Sequence, residues 1–450
     1  MRVLKFGGSS VADRGQIEKV LDIVRRRQPD EVVVVTSAHR GMTDALVSAA
    51  RRAAAGHLDP DPVIDRQRAI AGSLEVPEAQ LAALYAEIRD LLRGIHLVKE
   101  LSPRSLDYIS SFGERMACRC LADFFRRHGV AASAYDAWDV GFVTDGTFGR
   151  ARPLEGFSGR VRAAFAALPE GEVPVVTGFI GKNAAGEITT VGRNGSDLTA
   201  TLLASALGAE EAQIWTDTDG VMTADPSVVD RALNIPHMRF AEAAELAYFG
   251  SRVLHPSSLL PAIRARIPVR VLNTNRPEHP GTVIAEDGPA NPSEVTSIAY
   301  KEGQRVLTLT STRMFGQVGF LAETFAVLAR HGVVVDMVAT SEVSVSLTST
   351  DGPALEAAVA ELGDLAEARI DERRAILAVV GQHLATRVGL ASRVLRAVAG
   401  AGINVEMISY GSGAINLSMV IREEDIAEAV ATLHGVLFDA ERASSSAVTP

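Results

Sequence analysis

Val173 to Pro226 reads VPVVTGFIGKNAAGEITTVGRNGSDLTATLLASALGAEEAQIWTDTDGVMTADP and places two phosphate-type loops in one α/β unit. Residues 173–176 form a β-rich run that stops at Gly178. A second run, 187–190, stops at Gly192-Arg193-Asn194-Gly195-Ser196-Asp197. An alanine- and leucine-rich helix follows from near Leu198. A glycine-bracketed turn between strand and helix aims backbone N–H groups and the positive helix end at one spot, which suits an anion. Arg193 adds a fixed charge there. The plainer reading of Ser196 or Asp197 is a helix cap.

The second loop decides between these. Gln213 to Trp215 is a buried-type strand ending in Thr216-Asp217-Thr218-Asp219-Gly220, then Met222 and Asp225-Pro226. An acidic turn beside a glycine-rich anion site suits a nucleotide with its metal, although taken singly Asp-Thr-Asp-Gly is a common turn. Together the blocks resemble the nucleotide-binding half of the amino-acid kinase superfamily. Within it they resemble the aspartokinases, whose GFIG, GRGGSD and WTD-x-x-G-(I/V)-x-T-x-DP blocks occur in this order. The resemblance runs from Lys5 to about Leu437.

With 450 residues the chain has room for two or three domains with large cores. Helical patterns alternating with short Val/Ile runs point to an α/β fold. The formal net charge of −10 speaks against nucleic-acid or membrane-surface partners, so substrate anions must be held by a few placed cations. Cys118 and Cys120, the two cysteines, sit on one predicted helix facing different ways. They imply neither a disulfide framework nor a metal site. A reducing compartment fits. With no leader before the Arg2 to Phe6 strand and no apolar run of membrane-spanning length, the expected location is cytoplasmic.

In chain order, Val3-Leu4-Lys5-Phe6-Gly7-Gly8-Ser9-Ser10 is a strand ending in a double glycine, with a helix through about Arg26. The glycines let backbone amides approach a phosphate, and Lys5 can reach the same anion. This closely resembles the KFGG(T/S)S opening of aspartokinases, which implies nucleotide contacts at Lys5, Gly7, Gly8 and Ser9. Residues 31–36 form the next strand and open on Ser37-Ala38-His39-Arg40-Gly41-Met42-Thr43-Asp44. The resemblance puts Ser37, Ala38 and Thr43 in the amino-acid pocket; the plainer role is helix capping by Thr43 or Asp44. Residues 60 to 100 read as charge-mixed, solvated helix. The amphipathic stretch Leu106 to Phe125 contains Phe112-Gly113-Glu114, matching a family block whose glutamate accepts the substrate α-amino group. Further on, Phe240 to Gly250 and Ser251 to Pro256 read as helices resembling the family's VLHP block. Arg252 stands where the family commonly carries a lysine that neutralises the transferring phosphoryl group. Met222 likewise stands where many relatives have tyrosine. His255, before a proline at a helix start, reads as structural.

Asn273 to Asn291 is rich in Pro, Asn and Gly and reads as a linker. Beyond it a repeat appears at a spacing of 70 residues: Val318-Gly319 recurs as Val388-Gly389, Gly332 as Gly402, Val335-Asp336-Met337 as Val405-Glu406-Met407 and Leu347 as Leu417. Each copy reads as strand, helix, glycine turn, strand and further strand, so two βαββ units can stack. The pattern resembles the paired ACT modules of aspartokinases, one of which is threaded through the other in the family. A plain dimerisation domain is the alternative.

The fold expected from the resemblance is α/β: an amino-acid kinase sandwich with a central, mostly parallel sheet, followed by two C-terminal βαββ ACT-like modules. Its domains are 1–285 (kinase), 295–372 (first ACT-like module) and 373–450 (second, with threading between them). The resemblance implies ATP-dependent phosphorylation of L-aspartate on its β-carboxylate, the first step of the lysine, threonine and methionine branch, with Mg2+ accompanying ATP. It assigns catalysis to Lys5, Arg252 and Asp197, and aspartate binding to Ser37, Ala38, Thr43, Glu114, Arg193 and Ser196. Nucleotide contacts fall to Lys5, Gly7, Gly8, Ser9, Thr216, Asp217, Gly220 and Met222. A lysine effector would be held by Met314, Val335, Asp336, Thr340, Ser341 and Glu342, in a homodimer or higher homo-oligomer formed through the ACT-like modules. Two other readings stand beside it: another amino-acid or carbamate kinase, and a catalytically weak amino-acid sensor, suggested by Arg252 and Met222. The chemistry suits the residues, because an ionised carboxylate nucleophile needs no general base and the barrier is electrostatic.

Overall fold

The computed structural model describes residues 1–27, 31–249, 255–287, 293–314, 318–411 and 413–439, which form two compact units. The first contains Met1–Val221, Pro236–Phe240 and the described residues from 255 to 287. Its eight-stranded sheet runs Ala132–Tyr135, Val173–Thr177, Val32–Thr36, Arg2–Phe6, Glu211–Thr216, Val269–Asn273, Thr282–Ile284, His237–Met238. The first six strands are mutually parallel. Strands such as Val32-Val33-Val34-Val35 are buried on both faces, as continuous β-branched runs in a helix-covered parallel sheet should be. Arg2–Phe6 lies at the centre, flanked on one side by Val32–Thr36 and on the other by Glu211–Thr216. The chain therefore leaves it in one direction for the next strand and fills the other side later. In open α/β sheets, ligands bind outside the carboxyl ends of the strands at such a switch point.

The helices follow their sequence periods. Pro103–Arg127 is capped by Ser102, whose hydroxyl accepts from the Ser105 amide, and it starts on proline, as first-turn geometry permits. Its residues from Ile109 to Phe125 are almost all buried, packing with Leu46, Ile88 and Val175 in the main core. Two expectations change here. The stretch read as a linker contains the strand Thr282–Ile284, which pairs antiparallel with Val269–Val271 and parallel with His237–Met238. Gly281, at φ 66°, makes that reversal, because a Cβ there would lie 2.0 Å from the Val271 carbonyl oxygen. A three-residue strand is too short to show a period. His255 is extended rather than helical, and the helix begins at Pro256.

The second unit carries a six-stranded antiparallel sheet, in the order Val338–Thr340, Ser344–Ser349, Ser297–Thr310, Glu367–Val380, Asn416–Arg422, Met407–Ser409. The helices Phe320–Arg330 and Leu390–Gly400 are offset by the 70-residue repeat, and each opens on a left-handed glycine, Gly319 or Gly389. The two 14-residue strands pair with Ser297 opposite Val380 and Thr310 opposite Glu367. Ser297 and Glu367 are repeat-equivalent, as are Thr310 and Val380, so the ladder is its own image under a local two-fold. The cores do not follow one another along the chain. Val295 and Ile298 pack with Leu377, Val394, Leu417 and Leu433, whereas Leu307, Phe320, Leu347 and Ile370 belong to a separate core. The second module thus takes its first strand from ahead of the first module. Among the described residues no helix is long and apolar enough to cross a membrane.

Near the two-fold, Gly303 and its equivalent Arg373 both adopt positive φ, 70° and 56°. For a residue with a Cβ this conformation costs roughly 1 kcal/mol. Arg373→Gly is therefore expected to raise the thermal midpoint, with a net gain of about 0.5 kcal/mol after the extra unfolded-state entropy of glycine. Gly303→Ala should lower it, and differential scanning calorimetry of both variants checks the pair.

Candidate active site

The carboxyl ends of the central strands bring four loops together. Lys5 is level with Val35 and Ile214 in the ladder. Its Nζ lies 2.6 Å from Asp197 Oδ1, with the two side chains 12% and 5% exposed. The Gly7 amide donates to the Trp215 carbonyl, and the Ser10 and Val11 amides return to the Gly7 carbonyl, which fixes the turn. Gly7 faces the lysine head, since a Cβ there would stand 3.3 Å from Lys5 Nζ. Ser10 Oγ and Thr274 Oγ1 are 2.7 Å apart, tying this loop to the end of the Val269–Asn273 strand.

The helix Gly195–Leu207 starts directly behind that lysine. Neither Ser196 nor Asp197 caps it: the N-cap is Asn194, left-handed at φ 51°, with no side-chain cap bond. Asp197 instead faces Lys5, and its Oδ2 accepts from the Asn194 side-chain Nδ2. Ser196 is pressed against Gly178, where a Cβ would sit 2.6 Å from the serine. Arg193 is exposed, makes no ion pair among the described residues, and lies close enough to His255 for its charge to act there. Burial, and secondarily that charge, hold the His255 imidazole below its ordinary pKa, and its ring caps the Pro256–Ala265 helix by accepting from the Ser257 amide. The structural reading of His255 fits this geometry.

The second pocket sits beside the first. Ala38 is wedged between Gly8, whose added Cβ would be 3.0 Å from the Ala38 carbonyl oxygen, and Gly113, whose Cβ would be 2.7 Å from that of Ala38 and 3.4 Å from Thr43 Oγ1. Ser37 follows the strand end and donates its amide to the Phe6 carbonyl. Neither Thr43 nor Asp44 caps its helix, which starts from left-handed Gly41 without a side-chain bond. Glu114 is fully buried. One oxygen accepts from the Ala38 amide at 3.2 Å, while Oε2 finds no hydrogen-bond partner among the described residues. Burial raises its pKa from 4.5 to about 8, only partly offset by the Ala38 bond. A buried carboxyl with one vacant oxygen suits an ammonium group, which would supply both the charge and the missing donor.

At the third strand end, Thr216 Oγ1 donates to Asp217, which is exposed. Asp219 accepts from Asn273 Nδ2 at 2.7 Å and from Arg276, closing the turn before Gly220. Met222 belongs to the second unit, where it bridges to Asn234 and its carbonyl accepts from Ser297. Arg252 lies outside the described residues. The sequence reading passed over Asn273, assigned to a linker, and His39. The latter is fully buried, donates from Nδ1 to the Val11 carbonyl at 2.6 Å, and stays neutral because burial lowers its pKa to about 4. Its place between Ala38 and Arg40, inside a loop already read as functional, was the available signal.

Residues 1–273 match the amino acid kinase family, and residues 377–437 match an ACT domain. Aspartokinase 1, chloroplastic, of Arabidopsis thaliana is 38% identical, covering 100% of this chain and 82% of its own. Lysine-sensitive aspartokinase 3 of Escherichia coli strain K12 is also 38% identical, across 97% of this chain and 99% of its own. The chain belongs to the aspartokinase family. The fold agrees with that of E. coli aspartokinase III in complex with aspartate and ADP in its R-state: TM-score 0.84 at 36% identity, covering 97% of this chain and 100% of that one.

The aspartokinase effector candidates lie in the second unit. Met314 and Val335 pack against the Leu307 core. Thr340 ends the strand before the hairpin tip Ser341-Glu342-Val343, where Ser341 and Ser344 pair through backbone and side chains. Asp336, its side chain 2% exposed, is already saturated. It receives Lys301 Nζ at 2.6 Å, Gln304 Nε2 at 3.0 Å and the Tyr248 hydroxyl at 2.7 Å. The carboxylate that the sequence offers to a ligand's ammonium group is thus paired with an ammonium of the chain itself. In the repeat, Glu406 is paired with Arg374, the equivalent of Gln304.

Because Glu114 holds its proton below about pH 8 in the free protein, an incoming ammonium must displace it. The sign is that of a raised carboxyl: the charged, binding-competent form gains population as pH rises to about 8 and levels off above. For an amino-acid substrate, kcat/KM is accordingly expected to climb by up to about tenfold per unit below pH 8, since that ratio reports free-enzyme ionisations. Glu114→Gln should be low and flat across the range. A pH profile of both proteins from 6 to 9.5 is the check.

Proposed function

We infer that the chain transfers the γ-phosphoryl group of ATP to the β-carboxylate of L-aspartate, giving 4-phospho-L-aspartate and ADP. The observation that carries this is the juxtaposition of the Lys5, Gly7 and Gly8 loop with the Ala38 to Glu114 pocket, backbone against backbone at Gly8. The aspartate- and ADP-bound relative supports the same pair of substrates. Glu114 takes the α-ammonium, and Arg193, with no carboxylate partner among the described residues, takes the α-carboxylate through its planar fork. Ser37, Ala38, Thr43 and Ser196 line the space between them. The β-carboxylate, ionised at neutral pH, attacks phosphorus in line as the bond to the bridging oxygen breaks. Negative charge moves onto ADP.

Lys5 and the Gly8 amide with Ser9 offset the charge on the phosphoryl group, Asp197 holds Lys5 in place, and the Gly7 amide, committed to the Trp215 carbonyl, shapes the turn instead of meeting the phosphate. Thr216, Asp217 and Gly220 hold the nucleotide. Mg2+ fits as a companion of the phosphates. Among the described residues no three His, Cys, Asp or Glu side chains form a metal-holding group, so the phosphates would hold the ion chiefly themselves, with exposed Asp217 at the strand end as the carboxylate that would share it. When bound, the ion neutralises charge on the β- and γ-phosphates.

Lysine is the proposed effector, as the name of the lysine-sensitive E. coli relative suggests. It would act at Met314, Val335, Asp336 and the Thr340-Ser341-Glu342 tip, with its ammonium competing with Lys301 for Asp336. Self-association through this module would complete the site. Val318 is 98% exposed, and Leu321, Phe325, Val338 and Val343 present further apolar surface suited to a second copy. Lysine then inhibits by binding one assembly state more tightly than another.

Coupled ADP-release assays with aspartate, glutamate and no acceptor test the reaction. Aspartate-dependent turnover is expected, and equal turnover with glutamate or without acceptor would overturn it. Lys5→Met should lower kcat by about 10²–10³-fold, the usual scale for one transition-state donor. It should also lose stability, because Asp197 is left buried without its partner. Lys5→Met with Asp197→Asn should regain stability and not turnover; recovered turnover would remove Lys5 from the chemistry. Millimolar or lower lysine should inhibit the wild type, with threonine weaker, and Asp336→Ala should abolish that response in the same assay.

A further inference from the structure

Asp107 lies two helical turns before Glu114 on the same helix and, at 3% exposure, is buried at the same level. A separation of seven residues puts the two carboxyls on one face, about 10 Å apart along the axis. Among the described residues it has no ion pair with a cation. Oδ2 accepts from the Gly149 amide at 2.8 Å and from the Thr190 amide at 2.8 Å, and Oδ1 accepts from Thr190 Oγ1 at 2.9 Å. The Thr190 carbonyl in turn accepts from the Ala151 amide at 2.9 Å. One side chain therefore knots three segments: the Glu114 helix, the 145–152 loop, and the end of the Ile188–Thr190 strand.

What leaves that knot is the anion loop. Val191 donates its amide to Phe179, and Gly192 turns at φ 87° against the 149–150 backbone, where a Cβ would lie 3.3 Å from the Gly149 oxygen. Arg193 is the next residue. Both walls of its turn, Gly149 and Thr190, are thus held by Asp107. Arg150 and Arg152 flank this junction, yet among the described residues neither pairs with Asp107, and burying a carboxylate costs free energy that three hydrogen bonds only partly return.

We propose that Asp107 is a positioning residue that fixes Arg193 relative to Glu114, setting the spacing at which the amino and carboxylate ends of the substrate are read. This rests on the aspartate-binding roles proposed above for those two residues. None of the Asp107 hydrogen bonds reaches a residue assigned above to the nucleotide, so its loss should weaken amino-acid recognition and leave ATP binding alone. Asparagine can replace it: its carbonyl oxygen keeps both amide bonds, and its NH2 donates to the Thr190 hydroxyl, which turns from donor to acceptor.

The test is steady-state kinetics on the full chain, varying aspartate and ATP separately. Asp107→Ala should raise the aspartate KM at least about tenfold with the ATP KM within about twofold, and Asp107→Asn should stay within about threefold of wild type for both. Thr190→Val, which deletes one of the three bonds without altering shape, should raise the aspartate KM by a smaller factor. Where Asp107→Ala does not fold, Thr190→Val and Asp107→Asn decide. An unchanged aspartate KM in a folded alanine or valine variant overturns the proposal. Asparagine as damaging as alanine overturns it too, since charge rather than placement would then matter. A wild-type chain without aspartate-dependent ADP release would instead overturn the substrate assignment on which it rests.

Discussion

The 2.6 Å pairing of Lys5 with Asp197 fixes the geometry on which the first unit depends. A buried ion pair adds little net stability, because desolvation cancels much of the attraction, but breaking one partner away is costly. Its effect is therefore one of placement. The central strand and the start of the Gly195 helix cannot separate without stranding a charge, and Gly7, Gly178 and Gly195 let the backbones around that pair close to distances that side chains would prevent. The lysine is held still, yet its carboxylate partner is one that an arriving phosphate can share.

The charge arrangement around that pair suits two anionic ligands in a chain of net charge −10. Acidic groups near the pocket are neutralised by different means. Glu114 keeps its proton through burial, Asp197 is paired with lysine, and Asp219 is engaged by Asn273 and Arg276. Arg193 alone among the assigned cations is left uncommitted among the described residues. Local compensation of this kind counts for more than net charge at short range, where screening by solvent is weakest.

Much of this was legible in the sequence wherever the partners are neighbours in the chain. The strand-then-glycine blocks at Phe6-Gly7-Gly8, Thr177-Gly178 and Thr216-Asp217 each contain their own geometry, and the 70-residue repeat announced itself through Gly319 and Gly389. The plainer capping readings fail at two loops because glycine or asparagine in a left-handed conformation starts those helices and leaves Asp197 and Thr43 for other contacts. What could not be read were pairings between distant segments. Asp107 meets Thr190, and Asp336 meets Lys301 and Tyr248, across separations that no local pattern encodes. The strand Thr282–Ile284 escaped for the opposite reason, being too short to display alternation.

The ladder between Ser297–Thr310 and Glu367–Val380 has a consequence for the newly made chain. The segment around Ile298 belongs to a core completed by residues as late as Leu433, while everything from Leu307 to Ile370 forms a core of its own in between. On the ribosome the inner module can collapse first, leaving the early strand with an open hydrogen-bonding edge until Val380 has emerged and its apolar face uncovered until Leu433 has. At roughly 5–20 residues per second that wait lasts on the order of ten seconds, long compared with hairpin formation. During it, the apolar face of Ile298 and Tyr300 is a place where two nascent copies could exchange strands before either is finished.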